Sequence, residues 1–174
     1  MGETDKTQDL GAEAEAFGAL QARFPDQFRH VFADPARPRT VVIVPSLSMD
    51  QDVLEKVSGH THYEERMLCL LLLLRMPRTH VIFLSSQAIL PAIIDYYLQL
   101  LPGVPREHAL RRLTMLSCND GSARPLTEKI LERPRLMQRI RAALRDTGSA
   151  HMACFNVSPL ERKLAVGLGI PIYG

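Results

Sequence analysis

Four short apolar runs, each closed by small polar residues, limit what this chain can fold into. Residues 40–44 (Thr-Val-Val-Ile-Val) lead into Pro45-Ser-Leu-Ser48, and residues 81–84 (Val-Ile-Phe-Leu) into Ser85-Ser-Gln87. Residues 113–116 lead into Ser117-Cys-Asn-Asp-Gly-Ser122, and residues 151–155 into Asn156-Val-Ser158. The run over 81–84 is unbroken, and an apolar run without alternation suggests a strand covered on both faces, as in a parallel sheet. A helical stretch follows each run, and residues 170–173 read as a short fifth strand. This order predicts an α/β fold: a Rossmann-like, doubly wound, mostly parallel sheet of about five strands with helices on both faces.

The helices announce themselves by their breakers. Pro91 suits a first helical turn, because its missing N–H needs no partner there, and Pro102-Gly103 closes the helix it starts. Pro125 and Pro134 open two more, the first to about residue 132 and the second to about 145. A helical turn is expected over 106–110, a short helix over 50–57 and a longer one over 63–76. Ser158-Pro-Leu-Glu161 is a capping box with Pro at the first helical position, and residues 167–169 stop that helix. Upstream, residues 1–9 read as a disordered tail. Phe17, Leu20, Phe24, Phe28 and Phe32 keep helical spacing, but Pro25 predicts two short helices rather than one. Residues 34–39 read as a linker. The expected division is therefore a polar tail and helical segment over 1–39, and a Rossmann-like domain over 40–174.

Composition narrows the function classes. A net charge of +2 is too small to argue for nucleic acid or a membrane surface as partner, and neither is expected. No apolar run approaches the roughly 18 residues of a membrane span. Residues 1–9 are polar, without the apolar core of a signal peptide, and Lys6 stands where a myristoylation signal wants Ser or Thr. Cys69, Cys118 and Cys154 are scattered in apolar contexts, which predicts buried free thiols in a reducing cytoplasm.

In an open parallel sheet, ligands bind beyond the carboxyl ends of the strands. The candidate binding residues are therefore Ser46, Ser48, Ser85, Ser86, Gln87, Asn119, Asp120, Asn156 and Ser158. Taken singly, each is an ordinary turn former or helix cap. Four such strand ends on one edge also make a polar binding surface. Dinucleotide and P-loop fingerprints are missing: Gly167-Leu-Gly169 follows a helix, not a strand. His60-Thr-His62 has no second ligand cluster beside it and reads as a solvated loop. Glu64 and Glu65 suit a helix start, or face a substrate. Asp95 sits at an exposed edge or pairs with an Arg or a Tyr hydroxyl. Arg135, Arg139, Arg141 and Arg145 read as the solvated face of a helix. No nucleophile–base pair is legible, and no catalytic or metal-ligating residue is assigned.

Several motifs occur together and in order. They are Leu84-Ser-Ser-Gln87, Asp95-Tyr-Tyr-Leu-Gln-Leu-Leu-Pro-Gly103, Pro125-Leu-Thr-Glu-Lys-Ile-Leu-Glu-Arg-Pro134, and Ser158-Pro-Leu-Glu-Arg162 through Gly169-Ile-Pro-Ile-Tyr-Gly174. With them, residues 40–174 resemble the pre-ATP-grasp domain at the N-terminus of ATP-grasp carboxylate–amine ligases, of the pheganomycin peptide-ligase type. The resemblance implies that ATP and Mg²⁺ are held by a following ATP-grasp module, in the same or a separate chain, and not by this chain. It implies a substrate-side or docking role, without catalysis by this chain alone. A homodimer is a second expected association. The competing reading is a standalone Rossmann-like domain that binds a small ligand or a protein.

Overall fold

The computed structural model describes residues 3–34, 36–48 and 62–173. Five strands, β1 (Arg39–Val44), β2 (Thr79–Ser85), β3 (Leu113–Ser117), β4 (Ala150–Cys154) and β5 (Ile172–Tyr173), form one sheet in the order β3-β2-β1-β4-β5. Every pairing is parallel. The predicted α/β architecture is therefore present, and the strand order reverses between β1 and β4. Such a reversal leaves a crevice at the carboxyl ends of the two diverging strands.

Strand alternation splits the core into two layers. Val42, Val44, Ile82, Leu84 and Met152 face one side. There they meet Ile130 of α5 (Leu126–Leu131), Ile140 of α6 (Pro134–Ala143) and Leu164 of α7 (Pro159–Leu168). Val41, Ile43, Val81 and Phe83 face the other side. Their partners are Leu98 of α3 (Pro91–Gln99), Ala109 of α4 (Arg106–Leu110) and Leu68, Leu71 and Leu74. Successive side chains of a strand point to opposite faces, so helices on both faces are what an unbroken apolar strand requires.

The segment over 63–76 departs from expectation. It begins as α2 (Tyr63–Arg66) but continues as a 3₁₀ helix over Met67–Arg75. A 3₁₀ helix has three residues per turn, so side chains three apart stand on one line. Leu68, Leu71 and Leu74 are that line, and all three are buried. Arg112 holds the far end, donating to the Leu74, Met76 and Thr79 carbonyls. The same winding turns Cys69 outward, so it is exposed, and Cys154 is half-buried. Only Cys118 is the buried thiol expected of all three.

The N-terminal region also differs. A single helix, α1 (Glu3–Ala33), covers both the predicted tail and the two predicted short helices, with Pro25 inside it. Contacts on both sides of Pro25 keep one axis. Before it, Phe17 packs on the core and Phe24 lies 5.9 Å from the His151 ring; after it, Gln27 Nε2 donates to the Ala150 carbonyl at 2.7 Å and Phe28 stacks on the Tyr173 ring at 6.1 Å. The helix expected over 50–57 lies outside the described residues. No helix among the described residues is long and apolar enough to cross a membrane.

Candidate functional site

All four polar strand ends lie on one edge of the sheet, as parallel pairing demands. They separate into two groups with different chemistry.

The first group sits where the strand order reverses. Ser46 Oγ and Ser48 Oγ are 2.8 Å apart, and Ser48 Oγ donates to Glu161 Oε1 at 2.5 Å. Asn156 Nδ2 donates to the Ser48 carbonyl at 3.0 Å. Ser158 opens α7 with the predicted capping box. Its N–H donates to Glu161 Oε2 at 3.0 Å and its hydroxyl to the same oxygen at 2.5 Å. Ser46 Oγ also accepts the Thr127 N–H, at the start of α5. Glu161 is fully buried, and such a carboxylate is tolerable only when hydrogen-bonded as it is here. Ser46, Ser48, Asn156 and Ser158 thus meet one another and a buried acid, and tie β1, α5 and α7 together.

The second group borders an open cleft of about 510 Å³ beyond the ends of β1, β2 and β3, with Ser86 and Gln87 in its lining and Ser85, Asn119 and Asp120 behind it. Its walls include Glu64, Ser86, Gln87, Arg124 and Lys129. Lys129 is 1% exposed. Its ammonium donates to Ser86 Oγ at 2.9 Å, the Asp120 carbonyl at 3.1 Å and the Ser122 carbonyl at 2.6 Å, using all three protons. Glu64 Oε2 accepts the Ser86 N–H at 2.6 Å. Burial pushes the Glu64 carboxyl above its ordinary range, opposed by its bonds to Ser86 and by the nearby Lys129 charge. The β2 turn is therefore held between an acid and a base, with Ser86 bonded to both.

Ser85 is buried and donates to the Gln87 carbonyl at 2.7 Å, shaping that turn. Gly121 is a close approach, since a Cβ there would overlap the Gln87 amide nitrogen. Asn119 is exposed, with φ of 53° in the left-handed region that Asn tolerates, and accepts from Ser117 Oγ at 2.8 Å. Asp120 braces the loop. It accepts from the Ser122 N–H at 2.9 Å and from Arg133 at 2.8 Å, and these bonds hold its carboxyl well below the usual range.

Among the weaker candidates, Asp95 pairs with Arg106 at 2.7 Å, one of the two alternatives read from the sequence. His62 pairs with Glu65 at 3.1 Å, and His60 lies outside the described residues. Arg141 donates to the Gly167 carbonyl at 2.7 and 3.0 Å, capping the end of α7. Lys129 is the residue that sequence reasoning missed. A lone Lys in a six-residue helix carries no signal that its ammonium will be buried. The described residues contain no group of three or more His, Cys, Asp or Glu placed to hold a metal ion, so no step is derived through one.

No family model matches the chain. Over 155 residues it is 32% identical to the L-propargylglycine–L-glutamate ligase of Streptantibioticus cattleyicolor. The match covers 85% of this chain and 31% of that relative, so the chain spans about a third of the relative's length. No solved structure matches.

Proposed function

We propose that this chain is the substrate-side domain of an ATP-dependent carboxylate–amine ligase of the peptide-forming kind, working in the cytoplasm beside an ATP-grasp module. The observation that carries this reading is the similarity, over 85% of the chain, to part of a ligase that by its name joins two amino acids. The cleft supports it. Glu64 offers a carboxylate suited to a substrate ammonium, and Ser86 and Gln87 offer hydrogen bonds beside it.

In this reading the module supplies ATP and Mg²⁺, makes the acyl phosphate and stabilises charge on the transferred group. This domain closes one side of the cleft and orients the amine or the acid. Positioning of that kind contributes to rate by holding reactants at bonding distance. The Ser48–Glu161–Ser158 group keeps β1 and α7 at a fixed spacing, so the wall is rigid.

The test starts with the intact mass of the native polypeptide from its source cells. A mass well above 19.5 kDa leads to an assay of the longer protein for ADP release coupled to amide formation between two amino acids. Glu64→Ala in that protein should raise KM for one substrate more than tenfold. A native mass near 19.5 kDa, with no amide formed when ATP-grasp proteins of the same cell are added back, would overturn the proposal.

A further inference from the structure

The cleft beyond β1, β2 and β3 carries charges of both signs, but its cations and its acids are not equally engaged. Glu64, Glu65, Arg124 and Lys129 line it. Lys129 spends its three protons on Ser86 Oγ and two loop carbonyls. Arg124 is held by Glu132 at 2.8 Å and by Asp120 at 3.4 Å. Glu65 meets His62 at 3.1 Å. Glu64 differs from all three. It bonds to Ser86 and has no ion-pair partner among the described residues. Lys129 reaches it as a nearby charge and not as a contact.

A carboxylate drawn out of water without a cation beside it is costly, and burial accordingly raises the Glu64 pKa. A bound ammonium supplies the missing charge and opposes that rise. An anion entering the same cleft finds both cations already engaged and meets the Glu64 carboxylate unmatched. The cleft therefore discriminates between the two substrates of an amide-forming reaction, one of which arrives as a cation and the other as an anion.

Gln87 adds a second acceptor. Its side-chain amide has no hydrogen-bond partner among the described residues. It lies over Gly121, where a Cβ would overlap it, so the glycine leaves room for the amide in the cleft wall. A primary ammonium has three protons to donate, and hydrogen bonds from a charged donor are the stronger kind. Leu47, Ile89 and Leu126 contribute apolar surface to the same lining.

We propose that this cleft receives the amine substrate as a primary ammonium, seated on Glu64 and Gln87 with an apolar substituent against Leu47 and Ile89, and that the acid to be activated binds outside it. This assignment rests on the ligase reading and narrows it from either substrate to the nucleophile.

Hydroxylamine separates the two substrates. Its nitrogen attacks the acyl carbon of an acyl phosphate, loses a proton to water and expels inorganic phosphate, which leaves a hydroxamate. It thus replaces the amine and reports on the acid alone. The common L-amino acids are screened with the native ligase, each first as the acid with ATP and hydroxylamine, then as the amine in place of hydroxylamine. Glu64→Gln keeps an acceptor for the Ser86 N–H but removes the charge. It should raise KM for the amine by about tenfold or more, the worth of a hydrogen bond to a charged group. KM for the acid, read from hydroxamate formation, should stay at the parent value. Gln87→Ala should raise the amine KM several-fold and again leave the acid KM in place. A rise in the acid KM, or in neither, would overturn the assignment and leave the ligase reading standing. No hydroxamate and no amide from the parent enzyme would overturn the ligase reading, and the assignment with it.

Discussion

The Gln21 side chain stands where a sixth strand would pair with Ile172. Its Oε1 accepts the Ile172 N–H at 2.7 Å and its Nε2 donates to the Ile172 carbonyl at 3.2 Å. Further along α1, Gln27 Nε2 donates to the Ala150 carbonyl at 2.7 Å, at the start of β4. An uncovered sheet edge is a template for pairing with another chain, and covering it is a common defence. Here one amide group does so at β5.

Gln21→Ala removes both bonds and should destabilise the fold by about 1–3 kcal/mol, the cost of leaving backbone groups unsatisfied. Urea denaturation measures it, and hydrogen exchange at the Ile172 amide should accelerate in the same variant. Unchanged exchange there would mean that water replaces Gln21 without loss.

Glu161 joins Ser48 of the β1 loop to Ser158 of the α7 cap. Glu161→Ala leaves two half-buried hydroxyls without their acceptor and also removes half of a capping box. The expected loss is about 2–4 kcal/mol. In a double-mutant cycle Ser48→Ala and Ser158→Ala should be non-additive, because both donate to the same carboxylate.

Lys129→Met should be costly despite keeping the side-chain length. Ser86 Oγ and two loop carbonyls lose their donor at once, at about 2–4 kcal/mol. Removing the ammonium also removes a charge that holds the Glu64 carboxyl down, so Glu64 should titrate at a higher pH than in the parent protein. An NMR titration of the Glu64 carboxyl carbon reads this directly. No upward shift would separate the two groups.

His151 packs against Phe24 and Tyr173 and is 9% exposed. Burial, with help from the Arg39 charge, pushes its pKa down from 6.5 to about 4. The unfolded chain therefore takes up this proton at a higher pH than the folded one. Stability should fall as pH drops from about 6.5 towards about 4 and change no further below that, a loss of about 3 kcal/mol from this group. Burial and Arg145 lower the His80 pKa too, adding to the same trend. Urea midpoints at pH 7 and pH 5 should differ, and His151→Phe should shrink the difference.

Leu71 is 1% exposed at the middle of the 3₁₀ line. Leu71→Ala should cost about 2–5 kcal/mol, whereas Leu72→Ala, at a position 49% exposed, should cost far less. Equal losses would mean that the segment is wound as an α-helix in solution.

The sequence by itself determined the elements with local causes. The strands at 81–84 and 151–155 are legible because each is a short, largely apolar run closed at once by turn-forming polar residues, whereas the longer apolar run at 67–74 is helical. The starts of α3 and α7 are legible because Pro91 and Ser158-Pro-Leu-Glu161 act within one helical turn. That the polar strand ends share one edge follows from parallel pairing alone. Tertiary structure decided the rest. Pro25 stays inside one helix because Phe24 before it and Gln27 and Phe28 after it all hold the sheet edge. The Leu run winds at three residues per turn because Leu68, Leu71 and Leu74 must reach one strand layer together. Lys129 is buried and Glu64 brought to Ser86 by folding that places residues 22 and 43 positions apart against one turn. No local pattern encodes such distant meetings. They arise only when packing of the apolar layers sets where the polar loops must lie.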